Sequence, residues 1–212
     1  MNLGQRRTLF ISTENTPNPN GLKFVPAGKD VLPPEFGSSM DFRTLAQAQS
    51  SPLARKLFAK SGVKGVFYGS DFITVTKDDE TPWETLKLDV FSVIMDFYAE
   101  GAPIMSEDAE EVEDNLLIKD DDSEIVAMIK ELLETRIRPA VQEDGGDILY
   151  RGFDEGTGLV ALQMAGSCAD CPSSTVTLRH GVENMLMHYI PEVKGVHQID
   201  PTDEETHLSF NS

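Results

Sequence analysis

"QMAGSCADCPSSTVTL", residues 163–178, holds both cysteines of the chain, Cys168 and Cys171. Apolar residues lead into it, Gly166 and Ser167 interrupt them, and Pro172-Ser173 opens an amphipathic run. It therefore reads as strand, loop and helix, with proline where a helix tolerates it best, in the first turn. Cys171 falls at or beside the N-cap, where exposed amides and the helix dipole favour negative charge. Both sulfurs are thus expected as reachable thiolates on a loop. What two thiols can do at that spacing, with no others in the chain, decides the functional reading.

The surrounding residues extend this unit in both directions. Ser123 caps a helix carrying Ile125, Met128, Ile129, Leu132, Leu133 and Ile137 on one face, fading near Pro139. "QEDGGD" (142–147) is a turn in which Gly145 and Gly146 supply positive φ. "DILYRGF" (147–153) and "GLVALQM" (158–164) flank "DEGTG" as a hairpin. Leu178, Val182, Met185 and Tyr189 give the helix after the cysteines its buried face, Pro191 ends it, and "VKGVHQI" (193–199) is a last strand.

Residues 9–99 form a second block. "TLFISTEN" and "LKFVP" are strands around the turn "TPNPNG", and Ser51-Pro52 starts a helix with Gly62 as C-cap. "VKGVFYG" and "DFITVTK" form a hairpin, then Thr81-Pro82-Trp83-Glu84 reads as a capping box. The helix it opens buries Leu86, Val90, Val93, Ile94 and Phe97. This block has no cysteine, no histidine and no catalytic constellation. Between the blocks, residues 107–122 carry nine acids against a single lysine, Lys119. Such a run repels itself and buries little, so residues 100–122 are expected to be a flexible linker. The fold class is α+β: two small mixed domains, 9–99 and 123–200, joined by that acidic linker, with an acidic tail at 201–212. Residues 1–8, with Arg6 and Arg7 and no acid, are a disordered start or the remnant of a transit peptide.

Composition narrows the function. At 212 residues, 40% apolar and 25% charged, the chain can bury a core. Its formal net charge of −18 argues against nucleic acid and anionic lipid. No apolar run approaches the roughly 18 residues of a membrane span. Two cysteines and no Asn-x-Ser/Thr acceptor favour a reducing compartment. Phosphate-loop, dinucleotide, zinc-protease and serine-hydrolase motifs are absent.

Four readings of the thiols compete. As buried hydrophobes they sit poorly beside polar Ser167 and Asp170. As a catalytic nucleophile one would need an orienting histidine, and no spacing singles out His180, His188 or His197. A dithiol redox centre remains open, because thioredoxin-like proteins also place C-x-x-C at a helix start. Metal binding fits best: zinc and iron–sulfur centres want four soft ligands, one chain provides two, and a two-fold-related copy supplies the rest. Cys168 and Cys171 from each of two protomers would then hold a centre at the subunit interface, exposed and easily given away.

"GSCADCPSSTVTL", preceded by "IRPAVQEDGGDI" and followed by "YIPEVKGV", resembles the Nfu family, whose C-terminal domain is similar to the last domain of the NifU scaffold. "TPNPNGLKF", "SPLARKLF", "GVKGVFYGSDFITVTK" and "IMDFY" resemble the N-terminal domain of its mitochondrial members. The resemblance implies a non-enzymatic carrier of a labile [4Fe–4S] cluster, held between two protomers by Cys168 and Cys171. It also implies the mitochondrial matrix, upstream assembly factors, and clients such as lipoyl synthase and respiratory-chain subunits. A redox protein using the same two cysteines is the alternative.

Overall fold

A computed structural model describes residues 9–169 and 172–199, those of 172–177 by backbone alone. The expected start (1–8), the acidic tail (201–212) and Cys171 lie outside the described residues. Five antiparallel strands make the first sheet: β1 (Ile11–Asn15), β2 (Gly21–Pro26), β3 (Met40–Phe42), β4 (Val63–Tyr68) and β5 (Ile73–Lys77), in the order β1-β2-β5-β4-β3. Two helices, α1 (Pro52–Phe58) and α2 (Trp83–Glu100), accompany it. A three-stranded sheet follows, β6 (Gly146–Asp154), β7 (Leu159–Gly166) and β8 (Gly195–Ile199), antiparallel at β6-β7 and parallel at β7-β8. The crossover between the parallel strands is α5 (Pro172–Tyr189), while α3 (Glu124–Leu132) and α4 (Arg138–Glu143) precede the sheet. The protein is thus α+β, with one sheet in each half.

Alternation along the first sheet explains its packing, because successive residues of a strand face opposite sides. Leu22, Phe24, Val66, Tyr68, Ile73 and Val75 share one core with Leu86, Val90, Ile94 and Phe97 of α2. Their neighbours Val25 and Phe67 point to the other face and join Phe72, Ala165 and Leu149 in a small cluster that bridges the two sheets. Thr74, on the same side, is 1% exposed. This sheet is therefore covered on both faces. The second core gathers Ile129, Leu133 and Ile137 with Ile148, Leu162, Val182, Leu186 and Ile190.

Helix ends follow the sequence in part. Ser51 accepts from Ala54 N at 3.2 Å, and Ser123 from Val126 N at 3.3 Å, as N-caps do. Thr81 does not cap: α2 starts from Pro82 with no side-chain cap, and Thr81 N donates to Asp78 instead. Gly62 is not a C-cap either; α1 ends at Ala59, and Gly62 adopts φ +94 in the turn beyond. Nor does the helix from Ser123 fade at Pro139. A π-turn over Leu133–Ile137 widens it, and α4 runs on to Glu143. A proline within a helix lacks its N–H and crowds the carbonyl four residues back, and a wider turn accommodates both defects. On α5, Tyr189 is 61% exposed; Leu186, and Ile190 just past the helix end, take the buried positions beside Val182.

The acidic stretch between the halves is tied down at several points. Met105 is buried in the first core and Leu116 in the second. Ser106 N donates to Ser50 O and Val112 N to Glu35 O. Asp114 grips Arg138 through both oxygens, at 2.7 and 2.8 Å. Arg138 is 4% exposed and also reaches Glu134 and, at 3.2 Å, Asp147, whose side chain is fully buried. Asp147 in turn accepts from Ser39 at 2.6 Å and Ser38 at 3.3 Å, both in the first half of the chain. Burial pushes the Asp147 carboxyl above the ordinary carboxylate range, against the pull of Arg138 and of those hydroxyls.

Removing one member of a buried ion pair strands the other, at roughly 3–5 kcal/mol. Arg138→Leu is accordingly expected to lower unfolding stability by about 3 kcal/mol in urea titrations. Arg138→Leu/Asp147→Leu should recover much of that loss.

Candidate metal centre

Cys168 is delivered by the end of β7. Gly146 and Gly166 face each other across the β6-β7 ladder, and the chain turns at Gly166 with φ +65. Ala169 N closes the turn onto Gly166 O at 3.2 Å, and the loop runs on to the N-terminus of α5. A second turn supports it from below. Ser167 Oγ donates to Asp144 O at 2.5 Å, and Ser167 N to Gly145 O at 3.4 Å. The "DGGD" segment of the sequence is therefore the bed on which the cysteine loop lies.

The two glycines of that bed do different work. Gly145 adopts φ +80, as a tight turn requires. Gly146 does not have positive φ; what it supplies is room. A Cβ there would sit 2.5 Å from Ala165 O and 2.8 Å from Cys168 Sγ.

Sequence reasoning expected reachable thiols, and for Cys168 the structure corrects this. Its side chain is 2% exposed and belongs to the second core, with Ser167 Oγ 3.9 Å from the sulfur. The loop's partly polar sequence suggested exposure, but Ser167 satisfies its hydroxyl on Asp144 and is fully buried. Cys171, the other predicted ligand, lies outside the described residues. The histidines are engaged elsewhere: His180 faces Glu183 at 3.4 Å, His188 packs edge-on against Tyr189, and His197 lies exposed on β8. Among the described residues no three His, Cys, Asp or Glu side chains group into a metal site.

Residues that sequence reasoning passed over surround the root of the loop. Asn18 Nδ2 donates to Ser167 O at 3.4 Å, and Gly166 N to Asp41 Oδ2 at 3.3 Å. A Cβ on Gly166 would meet the Phe67 ring at 2.9 Å, and one on Gly21 would meet Ser167 Cβ at 3.2 Å. All four partners belong to the first half of the chain. Asn18 and Gly21 showed only a local Pro- and Asn-rich turn and Phe67 only a strand, signals that say nothing about a target so distant in the chain.

Chemically, Cys168 supplies a soft sulfur donor, packed here within the second core. That donor suits zinc or an iron–sulfur cluster.

Comparison with known proteins bears on both halves. Residues 11–101 match the family described as scaffold protein Nfu/NifU N terminal, and residues 129–197 match the NifU-like domain. The mitochondrial NifU-like protein 5 of Arabidopsis thaliana is 58% identical over 201 residues, 95% of this chain and 72% of that protein. The mitochondrial NFU1 iron–sulfur cluster scaffold homolog of Homo sapiens is 54% identical over 202 residues, 94% of this chain and 76% of its own length. A solution structure of a NifU-like protein from Saccharomyces cerevisiae aligns with 51% of this chain and 93% of its own, at 26% identity and a TM-score of 0.44.

Gly146→Ala is expected to push the cysteine loop off its bed. Its thermal midpoint should fall by several degrees, as overpacking by one methyl costs roughly 1–3 kcal/mol. Anaerobic reconstitution with iron and sulfide should then yield less bound iron than in the parent protein.

Proposed function

We infer the function from one premise: this chain belongs to the Nfu/NifU family of mitochondrial iron–sulfur cluster scaffold proteins. The finer reading is a carrier that holds a [4Fe–4S] cluster between two copies of itself, in the mitochondrial matrix. Cys168 and Cys171 of each copy are its four ligands. The observation that carries this is the placement of the cysteine loop at the β7-α5 junction, with Cys168 packed over Gly146, the first residue of β6. Four thiolates complete a cubane cluster, and one chain has two cysteines. An interface site of this kind is isologous, each copy giving the same pair.

Delivery is ligand exchange rather than catalytic turnover, so the protein acts as a carrier and not as an enzyme. A client thiolate forms an Fe–S bond as the bond from iron to Cys168 or Cys171 breaks. The released thiolate takes up the proton that the client thiol gave up, and iron keeps its oxidation state. Transfer runs toward clients whose cysteines enclose the cluster more tightly. The candidate clients are iron–sulfur enzymes and electron-transfer subunits.

Reconstitution under anaerobic conditions, with mass read by light scattering, tests the reading. About two irons and two sulfides per chain in a dimer is the expected result for a shared four-iron cluster. Cys168→Ala and Cys171→Ala should each abolish stable loading and leave the fold intact. A full cluster on either single variant would overturn the two-plus-two arrangement. A reversible Cys168–Cys171 disulfide with no bound metal would move the protein to the redox class.

A further inference from the structure

A cluster shared between two copies needs the cysteine-loop face of each to be open to the other. Here that face is taken by the chain's own first sheet. Asn18 holds Ser167 O, Asp41 holds Gly166 N, the Phe67 ring lies against Gly166, and Gly21 lies against Ser167. These contacts fix the two residues immediately before Cys168, and Cys168 is buried with them. A backbone rotation at 166–167 that carried the sulfur outward would work against every one of those contacts.

The docking is also built to come apart. Among the described residues the hydrogen bonds that join the first sheet's half to the second-sheet domain are mostly long. Asn18 to Ser167 O and Lys23 to Glu143 O are 3.4 Å, and Ser38 to Asp147 and Gly166 N to Asp41 are 3.3 Å. Ser39 to Asp147 at 2.6 Å is the short one. Thr74 Oγ1 is buried against Gly145 with no hydrogen-bond partner among the described residues, a penalty that separation relieves by hydration. The apolar cluster at the junction is small: Phe67, Phe72 and Ala165, with Val25 and Leu149 at its edge.

We propose that the N-terminal domain is an internal partner that competes with a second copy of the chain for the cysteine-loop face: docked, it holds Cys168 inward, and it must swing away before a cluster can bridge two copies. This rests on the shared-cluster reading above and adds its regulation.

The test uses full-length, reduced, cluster-free protein. Iodoacetamide labelling is read at Cys168 by peptide mass, and the radius of gyration by small-angle X-ray scattering. Two variants weaken the docking from different sides: Ser39→Asp sets a carboxylate against Asp147, and Phe72→Ala removes a ring from the apolar cluster. Circular dichroism establishes that each is folded. In both, the radius should rise and Cys168 labelling should accelerate on the order of tenfold, as expected when an opening equilibrium shifts by one decade. Unchanged labelling, whether or not the molecule expands, would show that the domain does not shield Cys168. Faster labelling without expansion would place the shielding elsewhere. Either result overturns the proposal. Iron and sulfide counted on the same variants separate it from the function: loading at the parental level with unchanged labelling sinks only the competition, whereas no loading in any form sinks the scaffold reading.

Discussion

The buried pair of Arg138 and Asp147 is the constraint on which the rest of the arrangement hangs. A charge inside a protein must be met by an opposite charge and by hydrogen bonds, or the fold does not tolerate it. Each available partner comes from a different part of the chain. Asp114 arrives from the acidic stretch, Glu134 from the π-turn, Ser38 and Ser39 from the first sheet's approach to β3, and Ile148 N from β6. Satisfying this pair therefore ties the strap, the helix and, in this arrangement, the two sheets to one another. Asp147 is also the second residue of β6, directly after the turn that beds the cysteine loop.

From this follows the contrast between the two interfaces of the first sheet. Its core face is large, apolar and fully buried against α1 and α2. Its outer face meets the second half of the chain through a few rings, long hydrogen bonds and one unsatisfied hydroxyl. The first is the interior of a domain; the second is the smaller of the two contacts. A scaffold that stores a reactive group has reason to keep its thiol covered until a partner arrives, and a weak internal cover is a physically economical way to do so.

Much was legible from residues alone, and the failures share a cause. Apolar periodicity located α2, α3 and α5 and all but one of the strands, because each of these buries a face regular enough to show. The three-residue β3 escaped, being too short to display a period. Tyr189 was misplaced because Leu186 and Ile190 fit the same helix equally well, and only packing against the second sheet chose between them. Pro139 read as a stop, since nothing local announces that a π-turn will absorb it. The capping box at Thr81 lost to Asp78, which took its amide first. Among the candidate site residues, Cys168 and Cys171 stood out by type and spacing. Gly146 was noticed for the wrong property, φ rather than room.

The sequence by itself determined the α+β class, the pair of thiols at a strand-to-helix junction, and the chemistry those thiols can offer. These are local facts, set by hydrophobic period, turn residues and the softness of sulfur. Only the tertiary structure decided that the first sheet would be covered twice, that Asn18, Asp41 and Phe67 would meet the cysteine loop, and that Cys168 would face inward. Those outcomes depend on contacts between residues far apart in the chain, and no local pattern encodes which surface a buried aspartate and its arginine will draw together.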